Sequence, residues 1–143
     1  MSGVVLHESD YYRVERVAAP SHLRVTRKVR PFLSAQEVDL ACDPVQAALD
    51  REGRERSTLL IDTRIVAGRN DPTSEQMFER HRREMLLRFK RVALLVRTPA
   101  GLLHVQRLLA SDRADARAFA DEQEALAFLR GDAPADAPSR PRR

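Results

Sequence analysis

The sequence predicts an α/β fold, a mixed sheet of about five strands with about four helices in the order β-β-α-β-α-β-α-β-α. Two short, nearly continuous apolar runs carry this reading: Ser57-Thr58-Leu59-Leu60-Ile61-Asp62-Thr63 and Arg91-Val92-Ala93-Leu94-Leu95-Val96-Arg97. Runs of that kind suit central strands covered on both faces. Each is followed by a helical segment, residues 73–89 and 99–111, so strand-helix-strand repeats with parallel neighbours follow. Ahead of them, residues 11–17 and 22–30 alternate apolar with charged side chains, the period-two pattern of strands with one solvated face.

The elements can be justified in order. Ala18-Ala19-Pro20-Ser21 joins the two alternating segments as a turn, which makes them an antiparallel hairpin with Leu23, Val25 and Val29 facing the core and a register break near Lys28. Aspartate followed by proline is a helix-start pair, so Asp43 and Pro44 predict a helix over Pro44 to Glu52. Val45, Ala48 and Leu49 face inward, Gly53 is the stop, and Ser34 to Ala41 is a short turn or helical lead-in. In the helix over 73–89, Phe78, Met85 and Phe89 share one face and read as core. Most arginines of the basic run Arg80 to Arg91 then point outward, paired with Glu79 and Glu84. Ala116 to Ala120 forms a short last strand. Asp121 to Arg130, with acids first and arginine last, forms an amphipathic helix ended by Gly131. The domain therefore covers 11–131, after an N-terminal extension at 1–10 and before a disordered Ala/Pro/Arg tail at 132–143.

Composition excludes several classes. At 143 residues the chain fits one domain. No apolar run approaches the roughly 20 residues that span a bilayer, and the first ten residues lack a secretory pattern, so a cytoplasmic location is expected. The net charge of +4 is carried almost wholly by arginine, which raises the isoelectric point without implying a nucleic-acid partner. Exposed aromatics for stacking on bases are also scarce, at 5% aromatic residues in total. One cysteine and four scattered histidines give no metal-ligand spacing, and no cofactor is expected. The sequence also lacks nucleophile-elbow, phosphate-loop and dinucleotide fingerprints, so the chain reads as non-enzymatic. Cys42, beside Asp43, reads as a small buried side chain.

Several motifs resemble those of STAS domains, the superfamily of sulfate-transporter tails and anti-sigma-factor antagonists. The segment from Glu37 through Asp39, Ala41, Pro44 and Ala48 to Leu49 is similar to its E-L-D-x-A-x-x-P-x-x-x-A-L pattern. Leu59-Leu60-Ile61-Asp62 is similar to its V-L-D-L strand, and Glu124-Ala125-Leu126-Ala127-Phe128-Leu129 resembles its closing helix. Arg88-Phe89-Lys90-Arg91-Val92-Ala93 resembles the approach to the fourth strand in the antagonist-like or lipid-carrier-like branch. The resemblance implies a regulatory domain that binds another protein, a kinase included. It also implies an alternative, a small-molecule or lipid-binding domain with a pocket between the sheet and the helices 73–89 and 99–111. Antagonist members carry Asp-Ser-Ser-Gly at a helix start, where a serine is phosphorylated. Here that stretch is Arg69-Asn70-Asp71-Pro72-Thr73-Ser74-Glu75, with proline in place and no glycine, which departs from the phosphoswitch pattern.

The candidate surface runs from Asp62 to Glu75. Asp62 ends a presumed central strand, where open α/β sheets place ligand sites, and Arg64, Arg69, Asn70 and Asp71 extend that surface. The competing role for Asp62 is to bond loop amides and fix the turn. Thr73 and Ser74 fall at a helix start, whose free amides accommodate a phosphate dianion. Capping by Asp71 or Thr73 explains the same residues. An exposed edge strand leaves the sheet open to homodimer formation.

Overall fold

The computed structural model describes residues 3–18, 21–65, 72–112 and 116–131, with backbone alone at 72–78, 104, 108 and 110–112. Among these residues, six strands form one sheet in sequence order: β1 (Gly3–Glu8), β2 (Tyr12–Ala18), β3 (Ser21–Arg27), β4 (Leu59–Asp62), β5 (Val92–Leu95) and β6 (Ala116–Phe119). β1, β2 and β3 run antiparallel, and β3 to β6 run parallel. The helices are α1 (Ala35–Glu52), α2 (Pro72–Leu86), α3 (Pro99–Asp112) and α4 (Glu122–Arg130). The sheet thus has one strand more than expected. That strand, β1, comes from the segment read as an N-terminal extension, and its register against β2 is irregular between Val5 and His7. The Ala18 to Ser21 pair closes the expected hairpin, while Ala19, Pro20 and the tail 132–143 lie outside the described residues.

The continuous apolar runs do serve two faces. On one, Leu59, Ile61, Val92 and Leu94 pack with Val14, Leu23 and Val25 against α1, the end of α2, and Leu109 of α3. On the other, Leu60, Ala93 and Leu95 pack with Phe119 against Ala125 and Leu129 of α4. Alternate residues of a strand point to opposite faces, so two four-residue strands supply both cores.

Two expectations are corrected. First, α1 does not start at Pro44. It runs unbroken through it from Ala35, and Ser34 caps it by accepting from the Glu37 N–H at 3.1 Å. Its buried positions Val38, Ala41, Cys42, Val45, Ala48 and Leu49 form one continuous stripe across the proline. Interior proline costs about 3 kcal/mol, whereas burying each larger apolar side chain returns about 1.5–3 kcal/mol, so the stripe prevails. The carbonyl that loses its donor is that of Leu40, a residue 67% exposed, where water can replace the bond.

Second, Val29 is exposed, because β3 ends at Arg27 and the chain then leaves the sheet. Leu23 and Val25 are fully buried as expected. The arginines of the run Arg80 to Arg91 point mostly outward, as expected, with Arg82 the buried exception. Met85 and Phe89 are buried, and His81 and Arg82 are buried with them, whereas Arg80 and Arg83 are exposed. The α2 face that meets α1 is wider than the apolar spacing indicated; the side chain of Phe78 lies outside the description.

Candidate functional site

Asp62 lies on the α4 side of the sheet, two residues beyond Leu60, at the carboxyl end of β4. Three other side chains converge on it or on its partners. From β3, Arg24 places Nη2 at 3.0 Å from Asp62 Oδ2 and Nη1 at 3.0 Å from Glu122 Oε2. From the turn after β4, Arg64 donates Nε to Asp62 Oδ1 at 3.0 Å, and Nη2 to Asp62 Oδ2 at 2.8 Å and to Glu122 Oε1 at 2.9 Å. The Arg64 backbone N–H also donates to Asp62 Oδ1 at 3.0 Å. Glu122 is the first residue of α4, where the helix dipole favours a carboxylate, and Asp121 caps that helix by accepting from the Gln123 N–H.

Two guanidinium groups and two carboxylates thus form a neutral quartet. Asp62 accepts four hydrogen bonds, about the full capacity of a carboxylate. Burial by itself raises the Asp62 pKa, but the bonds from Arg64 and then Arg24 outweigh it and hold it below the ordinary value. Glu122 is lowered too, first by its bond from Arg24. For Arg24, desolvation works against the charge and the two carboxylates overcome it, so its pKa is raised. The quartet is a clamp that fixes the end of β4 to the start of α4, and it leaves no acceptor on Asp62 for a ligand.

His81 and Cys42 are each held by a side-chain hydrogen bond. His81 Nε2 lies 2.7 Å from Asp39 Oδ1, between α2 and α1. The Cys42 thiol, inside α1, donates to the Tyr12 hydroxyl at 3.9 Å, and burial pushes its pKa up to about 12. A thiol of that kind supplies little thiolate near neutral pH. Among the described residues, no group of three or more His, Cys, Asp or Glu could hold a metal ion. Among them, too, no helix is long and apolar enough to cross a membrane.

The architecture of antiparallel entry strands, parallel core strands and a last helix on the second face can be set against known proteins. No family model and no curated protein matches the sequence. Among solved structures, the chain is similar to an uncharacterized protein of the DUF3478 family, with a SpoIIAA-like fold, from Shewanella loihica PV-4. The TM-score is 0.63 at 16% identity, with 90% of this chain and 96% of that chain covered. The fold is SpoIIAA-like. It is therefore STAS-like, as the short motifs implied, although identity this low speaks for the fold alone.

Within the SpoIIAA-like fold, the expected surface is brought together in part. Asp62 and Arg64 are in contact. Thr73 and Ser74 are the second and third residues of α2, in its first turn, with only their backbone described. Arg69, Asn70 and Asp71 lie outside the described residues. Sequence reading missed Arg24 and Glu122 as partners of Asp62. Arg24 looked like one more charge on a solvated strand face, and Glu122 like an ordinary dipole-matching acid. A usable signal was that Arg24 shares its strand face with no other cation, next to a strand that ends in an acid.

Proposed function

We propose that this chain is a non-enzymatic, cytoplasmic STAS-like regulatory domain that acts by protein–protein interaction through the loop and helix start 62–75, with a protein kinase among the partner classes it suits. The observation that supports this reading is the step from β4 into α2. Thr73 and Ser74 sit in the first turn of a helix, where unsatisfied amides and the positive dipole end suit a phosphate dianion. Asp62 contributes by position: its quartet holds the point from which the loop departs, and its carboxylate is already filled. The bonded His81 and the high-pKa Cys42 are poor material for catalysis.

The test is affinity capture from native host lysate with wild type, a Thr73→Ala/Ser74→Ala double variant and an Arg83→Gln control, all with matching thermal melting. One partner retained by wild type and control but lost by the double variant is expected. Equal retention by all three overturns this surface.

A further inference from the structure

At the opposite end of the sheet from Asp62, where β4 and β5 begin, the chain lines a cavity of about 330 Å³. Its wall carries five cations, Arg16, Arg56, Lys90, Arg91 and Arg130, together with hydroxyls such as those of Ser57 and Thr58, and includes no carboxylate. We propose that this cavity is a binding site for a small phosphate-bearing ligand, of the chemical class of a diphosphate or a compact phosphate monoester. The site is distinct from the 62–75 surface and does not depend on it.

The positions of the cations follow from the chain. Two helices end here, α1 at Gly53 and α4 at Gly131, both glycines with φ near +90°. The Arg56 side chain folds over Gly53, where a Cβ would stand 2.6 Å from Nη2, and Arg91 lies on Gly131, where a Cβ would stand 3.2 Å from Nη1. Helix carboxyl ends attract cations, so a purely structural role must be weighed first. Its magnitude is too small. Each helix end offers roughly half a negative charge, and the Glu52 carboxylate matches Arg16, so of the three positive charges on Arg56, Lys90 and Arg91 about two remain unmatched. Among the described residues, Arg56, Lys90 and Arg91 have no ion pair with a carboxylate.

That surplus selects the ligand. A single carboxylate would leave half of it unmatched, whereas a phosphate monoester carries about 1.5–2 negative charges and a diphosphate more. Four of the five cations are guanidinium groups, whose planar forks take phosphate oxygens in pairs. Arg16 is already held for this by Glu52 and by the Ser57 hydroxyl at 3.2 Å. The volume is at the lower end of small-molecule sites, roughly 300–1,000 Å³, and so suits a compact anion. No aromatic side chain lines the cavity for base stacking, and Leu129, its apolar wall, is buried and cannot insert into a bilayer.

Calorimetric titration of the full chain with inorganic pyrophosphate tests the site. Saturable one-to-one binding with a Kd on the order of 0.1 mM is expected. Lys90→Gln and Arg56→Gln should each weaken it roughly tenfold, with melting curves confirming that the variants fold. Arg83→Gln removes the same charge from an exposed position on α2 and should leave the affinity unchanged. Absence of saturable binding overturns the proposal, as does equal weakening by Arg83→Gln, which would mean a response to net charge alone. Phosphatidylglycerol vesicles and a short single-stranded oligonucleotide are run alongside, and capture of either without pyrophosphate binding also overturns it.

Discussion

Arg24 and Asp62 meet at 3.0 Å across β3 and β4, although the residue in register with Asp62 is Thr26, so the guanidinium reaches diagonally along the sheet. The same guanidinium takes Glu122 at 3.0 Å, which joins positions separated by 38 and 98 residues in the chain. Three elements that meet nowhere in sequence are thereby held at the carboxyl edge of the sheet. The loop leading into α2 leaves from this fixed point.

Removing the charge of Asp62 tests how much the clamp matters. Asp62→Asn keeps the shape and leaves two guanidinium groups to share Glu122, with Arg24 only 16% exposed. A loss of about 1–3 kcal/mol in unfolding free energy is expected from urea denaturation at neutral pH. An unchanged midpoint would mean that water solvates both arginines as well as Asp62 does.

Acid should act on the same quartet. The pKa values of Asp62 and Glu122 are both held down in the folded chain, so their contribution to stability is present above the unfolded carboxylate range and is lost as pH falls through the folded values. Stability should therefore fall as pH drops below about 4, and the fall should be shallower in Asp62→Asn. The gap between wild type and variant then narrows on acidification. A constant gap from neutral pH into that range would assign the effect of the variant to packing and not to charge.

Arg54 is the second deeply committed cation, 3% exposed beneath the end of α2. It donates to Asp50 and Gln46, each at 2.6 Å, and its Nη1 serves the carbonyls of Glu84, Leu87 and Met85 at 2.7–3.4 Å. These carbonyls lie at or just beyond the carboxyl end of α2, where helical partners run out. Arg54→Met should cost about 1–3 kcal/mol, because it takes the donor from Gln46 Oε1 and from the Met85 and Leu87 carbonyls, while Asp50 keeps Arg88 and the Glu84 carbonyl keeps the Leu87 N–H. Arg54→Lys should recover little, since one ammonium cannot span the set. Full rescue by lysine, read from thermal melting, would reduce the role of Arg54 to its charge.

How far the sequence discloses this structure depends on whether the signal was local. The apolar runs at β4 and β5, the acid-to-arginine order of α4 and its glycine stop are local patterns, and each appears where expected. Thr73 and Ser74 were assigned to a helix start by the same means, and they occupy one. What was not legible was pairing over distance: Arg24 and Glu122 lie 98 residues apart, and each has an adequate local explanation. The basic cavity was hidden likewise, because its cations come from β2, the turn after α1, the approach to β5 and the end of α4. The start of α1 is legible in the sequence. Ser34-Ala35-Gln36-Glu37 carries the capping-box spacing, with Ser34 accepting from the Glu37 N–H and Glu37 accepting from the Leu33 N–H. A proline at a good starting position outweighed it.

Pro44 therefore supplies the remaining test, because it sits in mid-helix as a tolerated defect. Its ring crowds the carbonyl of Leu40 and leaves that group without a donor, while the stripe from Val38 to Leu49 keeps the helix whole. Pro44→Ala restores the donor and removes the clash, against which stands the greater freedom that alanine gives the unfolded chain. The balance should favour the variant by about 1–2 kcal/mol, less than the full 3 kcal/mol of an interior proline. Chemical denaturation of the two proteins measures it directly. A destabilised Pro44→Ala would show that the proline shapes α1 so that its stripe fits the sheet, and that straightening the helix costs more packing than the restored hydrogen bond returns.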